Sequence, residues 1–150
     1  MITTTMIENS VISLLIAKYP NSHIFRRNAT QTKDDAEVFV VQVELNGTME
    51  FKDFQRKDLD IIIQYFKTDR IKFNENLNDV RDALVSEIFI NSIPIIDINK
   101  NVVKYLLIKA STMVLLDDIL SLKITTDFVD DVVVNNFVPD LMGTLNLKGC

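Results

Sequence analysis

The chain has 150 residues, of which 47% are hydrophobic and 25% charged, and a formal net charge of −5. That balance excludes the low-hydrophobicity, high-charge profile of a disordered chain. An acidic chain whose longest basic run is Arg26-Arg27 also argues against nucleic acid as a partner, because phosphate backbones are gripped by clustered Lys and Arg.

Only three Gly and three Pro occur, which predicts long regular elements and short connections. The single cysteine, Cys150, leaves no disulfide within the chain, so a reducing, cytoplasmic setting is expected. Along the chain, the first apolar run is Val11 to Ala17. Glu8 precedes it and no Lys or Arg does, so it predicts a buried helix and not a signal peptide. The polar stretch Arg26 to Asp35 predicts a surface loop. Val38, Val40, Val43 and Leu45 then form one arm of a predicted hairpin, with Met49 and Phe51 on the other and Asn46-Gly47 as a type I′ turn pair. Val38 to Val41 is apolar on both faces, the mark of a strand inside a sheet.

Leu59, Ile62, Ile63 and Phe66 are spaced i, i+3, i+4 and i+7, which predicts a helix. A second helix is predicted from Asp79, capped by Asn78 or Asp79, to Ile90, with Val80, Ala83, Leu84 and Ile88 inward and Pro94 ending the unit. A third, Asn101 to Leu122, presents Val102, Tyr105, Leu106, Met113, Leu116, Ile119 and Leu120 on one broad side. Its charges at Lys104, Lys109, Asp117 and Asp118 argue against a membrane span. Val132 to Val134 reads as a short strand, and the tail from Leu145 as frayed. The expected fold class is therefore α+β: a small β-sheet with a hairpin, flanked by a cluster of α-helices. Residues 1–96 form the domain and residues 97–150 a mainly helical C-terminal extension.

Residues suited to catalysis are scarce. His23 and Cys150 are the only histidine and cysteine, too few for a zinc site or a nucleophilic triad. Gly47, Gly143 and Gly149 are isolated, whereas phosphate-cradling loops need clustered glycines. The doublets Asp34-Asp35, Asp117-Asp118 and Asp130-Asp131 do not share a face of a helix or strand, so they are expected on a solvated surface. No metal, cofactor or enzymatic activity is expected. Phe51, Phe66, Phe73 and Phe89 fall where periodicity points inward, while Phe54 stands between elements, where an aromatic can anchor a protein contact.

Lys18-Tyr19-Pro20-Asn21-Ser22-His23-Ile24-Phe25-Arg26 resembles the K-Y-P-D-S-x-L-x-R segment of BTB/POZ domains of the potassium-channel tetramerisation type. Phe51-Lys52-Asp53 and the run Leu59 to Ile71 are similar to that family's F-x-D-R-D and F-x-x-I-L-x-Y-L-R-T-G-x-L. Leu84 to Pro94 resembles L-x-x-E-A-x-F-Y-G-I. The matches keep family order over residues 10–96. Phe54-Gln55 stand where the family has Arg-Asp, and Asp69 where it has Gly. The family's first strand has no counterpart, with Thr3-Thr4-Thr5 expected as a remnant of the next.

The resemblance implies an oligomerising adaptor that associates with itself around Phe51, Asp53, Phe54 and Arg70, with a cullin-type ubiquitin ligase scaffold as an external partner. The alternative expectation is a degenerate BTB-fold monomer that binds one host protein through residues 97–150. The richness in Ile, Asn, Asp and Lys is the bias of an AT-rich coding sequence, which suits a large DNA virus or an AT-rich protist.

Overall fold

A computed structural model describes residues 2–26, 37–52, 54–67, 69–116 and 118–131. The first element, α1 (Thr4–Lys18), begins where the Thr3 side chain accepts the Met6 N–H at 3.1 Å, so Thr3 to Thr5 cap and start a helix and are not a strand remnant. Ile7, Val11 and Leu15 follow at i, i+4 and i+8, and all three are fully buried. Each contributes about 2 kcal/mol by leaving water. The turn at Tyr19-Pro20 then leads into β1 (His23–Arg26).

The long strands β2 (Glu37–Glu50) and β3 (Phe54–Lys67) form an antiparallel hairpin, and β1 pairs with β2 in parallel. Val38 to Val41 lie buried between β1 and β3. The expected turn at Asn46-Gly47 is corrected. Both residues lie inside β2, where the register shifts between Leu45 and Gly47, and Gly47 does not have positive φ. An extra residue in one strand is a β-bulge, so Asn46-Gly47 bend the strand without reversing it. The chain reverses between Phe51 and Phe54, whose backbone N–H and carbonyl close the tip at 2.8 Å.

The helix expected over residues 59–66 is instead the middle of β3. Leu59, Ile61, Ile63 and Tyr65 are buried at alternate positions, the period of a strand. Because Ile61, Ile62 and Ile63 are all apolar, the run satisfies both periods. Pairing with β2 on one side and β6 (Ile119–Asp131) on the other selects the strand.

After β3, Asp69 caps α2 (Arg70–Ala83), its carboxylate accepting the Ile71 and Lys72 N–H groups. The helix of this region thus begins well before Asn78. It passes into a π-helical turn at Leu84–Ile88 and buries Phe73, Val80, Ala83 and Leu84. Pro94 lies within β4 (Ser92–Ile96), an edge strand, where a residue without an N–H is tolerated.

The largest correction concerns the C-terminal half. No helix spans residues 101–122: β5 (Val102–Leu116) and β6 form a second long hairpin, reversing through Asp118 at φ 62°. Asp is among the few residues that adopt this left-handed geometry cheaply. The sheet order is β1-β2-β3-β6-β5-β4, so β6 pairs directly with β3 across the boundary at residue 96. Helix α1 touches both β2 and β4, strands far apart in that order. The sheet therefore curls around α1 as a half-barrel, and not as a small sheet beside a helical cluster with a helical extension. The fold class is corrected accordingly. The expected strand at Val132 to Val134, the frayed tail and most of the loop from Arg26 to Asp35 lie outside the described residues. No helix among the described residues is long and apolar enough to cross a membrane.

The core fills the concave side. Ile7, Val11 and Leu15 meet Phe39 and Val41 of β2, Ile61 and Ile63 of β3, Leu122 and Ile124 of β6, and Ile93 of β4. Ser10 fastens helix to edge strand: its hydroxyl donates to the Met6 carbonyl at 2.7 Å and accepts the Ile96 N–H at 2.9 Å.

Candidate functional site

Of the four residues expected to share an interface, the structure brings two together and sets a third far from them. Phe51 and Phe54 sit together at the β2–β3 tip, rings stacked at 4.5 Å between centroids, 44% and 38% exposed. Phe51 is thus a tip residue and not a core one, whereas Phe73 and Phe89 are buried. Asp53 lies outside the described residues. Arg70 opens α2 just beyond the opposite end of β3. A 14-residue strand at about 3.3 Å per residue puts Phe54 and Arg70 roughly 40 Å apart.

His23 is exposed on β1, and no cluster among the described residues has three potential metal ligands. A cavity of about 380 Å³ reaches Ser22, the neighbour of His23, and is lined also by Lys18, Tyr19, Pro20, Asn21, Glu37 and Lys67. Burial, then Glu37, pushes the Tyr19 phenol up to about 12, so this group stays protonated and is a poor general base. Behind it, Phe39 contacts Tyr19 and Tyr65 at ring separations of 5.1 Å each, and Tyr65 stacks on Phe73 at 5.6 Å. The Tyr65 hydroxyl is buried without a hydrogen-bond partner.

The convex face divides into two zones of opposite character. Across β3 and β6 it is charged. Asp58 and Asp127 stand opposite each other, and Arg56 reaches both, at 3.5 and 2.7 Å. Lys109 adds a contact to Asp127 at 3.2 Å, and Lys123 approaches Asp60 at 3.5 Å. Such pairs suit a face that stays in water.

Across β5 the face is apolar. Val103, Tyr105 and Leu107 form a row on one side of the strand, 49%, 60% and 67% exposed, while Leu106 between them is fully buried. Val114 and Leu116 continue the exposed surface past a register shift between Ile108 and Ala110. An apolar strip bounded by charged side chains is the anatomy of a protein-binding surface. Reading β5 as a helix hid this row.

No protein-family model matches the chain, and no curated protein matches it. A solved structure is similar over 93% of this chain and 100% of its own, at 13% identity and a TM-score of 0.44, a likeness that carries no argument about function.

Proposed function

We propose that this protein is a non-enzymatic module for protein–protein interaction that assembles with itself. The observation behind this reading is the exposed row of Val103, Tyr105 and Leu107, which the chain's own core does not use. A monomer in water gains nothing from holding three such side chains side by side, whereas an association that buries them gains about 25 cal/mol per Å². The charged zone on β3 and β6 would form the polar rim of such a contact.

Sedimentation analysis of the purified chain between about 1 and 100 μM tests the reading, with a concentration-dependent oligomer expected. Tyr105→Glu with Leu107→Glu should shift that equilibrium toward monomer. A strict monomer over the whole range overturns self-assembly.

In that event the same apolar row supports a second reading, a monomer that docks a different protein on β5. Deleting residues 97–150 is a poor test of it, because β6 supplies one of the two neighbours of β3. The Tyr105→Glu and Leu107→Glu pair leaves the sheet whole and is the proper probe. Nothing in the geometry favours a cullin-type scaffold over other partners.

A further inference from the structure

Strand β5 serves two neighbours in succession. Residues 102–107 pair with β4, and residues 108–116 pair with β6 on the other side. The last ladder position of β4 is Ser92 opposite Leu107, after which the Ile108 N–H donates to the Asn91 carbonyl at 2.9 Å. From Lys109 to Leu116, among the described residues, no strand pairs with the edge that faces away from β6. Seven of these eight residues are exposed, Met113 being the partly buried one.

Open edges are ordinarily blunted by Pro, by bulges or by repeated charges. This one has no Pro, its register shift lies at its start, and its only charge is Lys109. An unpaired row of N–H and C=O groups is matched best by another strand. Two features select a second copy of the same strand, in antiparallel orientation.

The first is charge. Lys109, at the start of the edge, is its one charge. Parallel in-register pairing would set Lys109 beside Lys109, whereas antiparallel pairing carries the two lysines to opposite ends of the contact. The second is size. Centred on Met113, antiparallel pairing sets Thr112 against Val114 and Ala110 against Leu116 on the convex face, and Ser111 against Leu115 on the other. Every flanking pair then joins a smaller side chain to a larger one. Centring on Thr112 would require Leu116 to face Ile108, whose N–H is already committed to Asn91. Centring on Met113 uses the free edge from Ala110 to Leu116.

We propose that two copies of this chain join through antiparallel pairing of residues 110–116 of β5, with Met113 opposite Met113, so that the two half-barrels share one continuous sheet. This rests on the self-assembly reading and adds an edge contact to it; the face row of Val103, Tyr105 and Leu107 lies outside the new ladder. The contact is isologous, the arrangement most common in dimers.

Charge placement tests the register. Thr112→Lys alone or Val114→Glu alone puts an unpaired charge into the new ladder and should weaken dimerisation about tenfold or more. In the double variant the lysine introduced at position 112 of each copy would face the glutamate introduced at position 114 of the other, and dimerisation should recover. In a Cys150→Ser background, Met113→Cys should form a disulfide-linked dimer under mild oxidation, and Val103→Cys should not. Circular dichroism and thermal melting establish that each variant keeps its sheet. A monomeric wild-type chain overturns this proposal together with the self-assembly reading. A wild-type oligomer unaffected by either single charge, with no cross-link in the Met113→Cys variant, overturns the edge pairing and leaves self-assembly standing.

Discussion

The two long hairpins are built alike and used differently. β2–β3 has strands of 14 residues each, and β5–β6 has strands of 15 and 13. In the first, Val38 to Val41 and alternate residues from Leu59 to Tyr65 are buried, because β2 and β3 each have a strand on both sides and α1 covers the concave face. In the second, β6 is equally buried at even positions from Leu120 to Phe128, yet β5 is exposed at most of its residues despite an apolar sequence. Apolar composition therefore does not say whether a strand serves its own core. Position in the sheet decides it, and β5 lies where one flank is partly uncovered.

The sharpest way to break the comparison is to truncate one residue in each hairpin. Phe39→Ala removes a fully buried ring that bridges Tyr19 and Tyr65, and should cost about 3–5 kcal/mol of folding stability. Tyr105→Ala, on the exposed β5 row, should change monomer stability by no more than about 0.5 kcal/mol while weakening association. Urea titration of dilute monomer separates the two. A comparable stability loss from Tyr105→Ala would mean that β5 belongs to the core after all. Next in size is Ser10→Ala, which leaves the Ile96 N–H without its acceptor and should cost about 1–3 kcal/mol. Hydrogen exchange should locate that loss at the junction of α1 with β4.

What the sequence disclosed follows from the same contrast. Helix α1 was legible from the apolar run Val11 to Ala17, and Val38 to Val41 were legible as an interior strand. β3 and β5 were misread because continuous apolar runs such as Ile61-Ile62-Ile63 and Leu106-Leu107-Ile108 satisfy helical and strand spacings together. Only long-range partners discriminate, and those are not local properties of the sequence. Asn46-Gly47 misled for a related reason: the pair permits a turn, but the strand partners from Thr48 to Glu50 extend the ladder beyond it. The exposure of Phe54 was legible from its place between elements. The β5 row was not, since its facing depends on which strands flank it.

A subtler probe lies inside the first hairpin, at the Tyr65 hydroxyl, buried and unpartnered in the aromatic chain. Tyr65→Phe removes a polar atom that gains nothing from folding and should leave stability unchanged or raise it by about 1 kcal/mol at neutral pH. Burial, then Glu37, raises the pKa of this phenol in the folded chain above its ordinary 10.0. Folding therefore favours the neutral form. The contribution is fully present below pH 10 and is lost as pH rises above it toward the folded-state value. Tyr19, raised to about 12 by burial and by Glu37, acts in the same direction. Thermal melts at about pH 8 and pH 11 should show a smaller alkaline loss for Tyr65→Phe than for the wild-type chain. Equal losses would place the titration elsewhere.

The smallest effect expected is on the charged zone that separates the hairpins. Asp127 accepts from both Arg56 and Lys109, so two favourable pairs disappear in Asp127→Asn. The same substitution relieves Asp58, directly opposite on β3, of a like-charged neighbour. These opposing contributions lie where solvent screens them, and the net change should be within about 1 kcal/mol and shrink further at about 0.5 M salt. The informative quantity is the difference between folding and association. If these charges only rim the β5 contact, Asp127→Asn should shift the salt dependence of dimerisation more than that of unfolding, because Lys109 starts the free edge and is released when its carboxylate partner is neutralised. A substitution that alters unfolding and dimerisation in the same proportion would instead mean that the charged zone holds the two hairpins together.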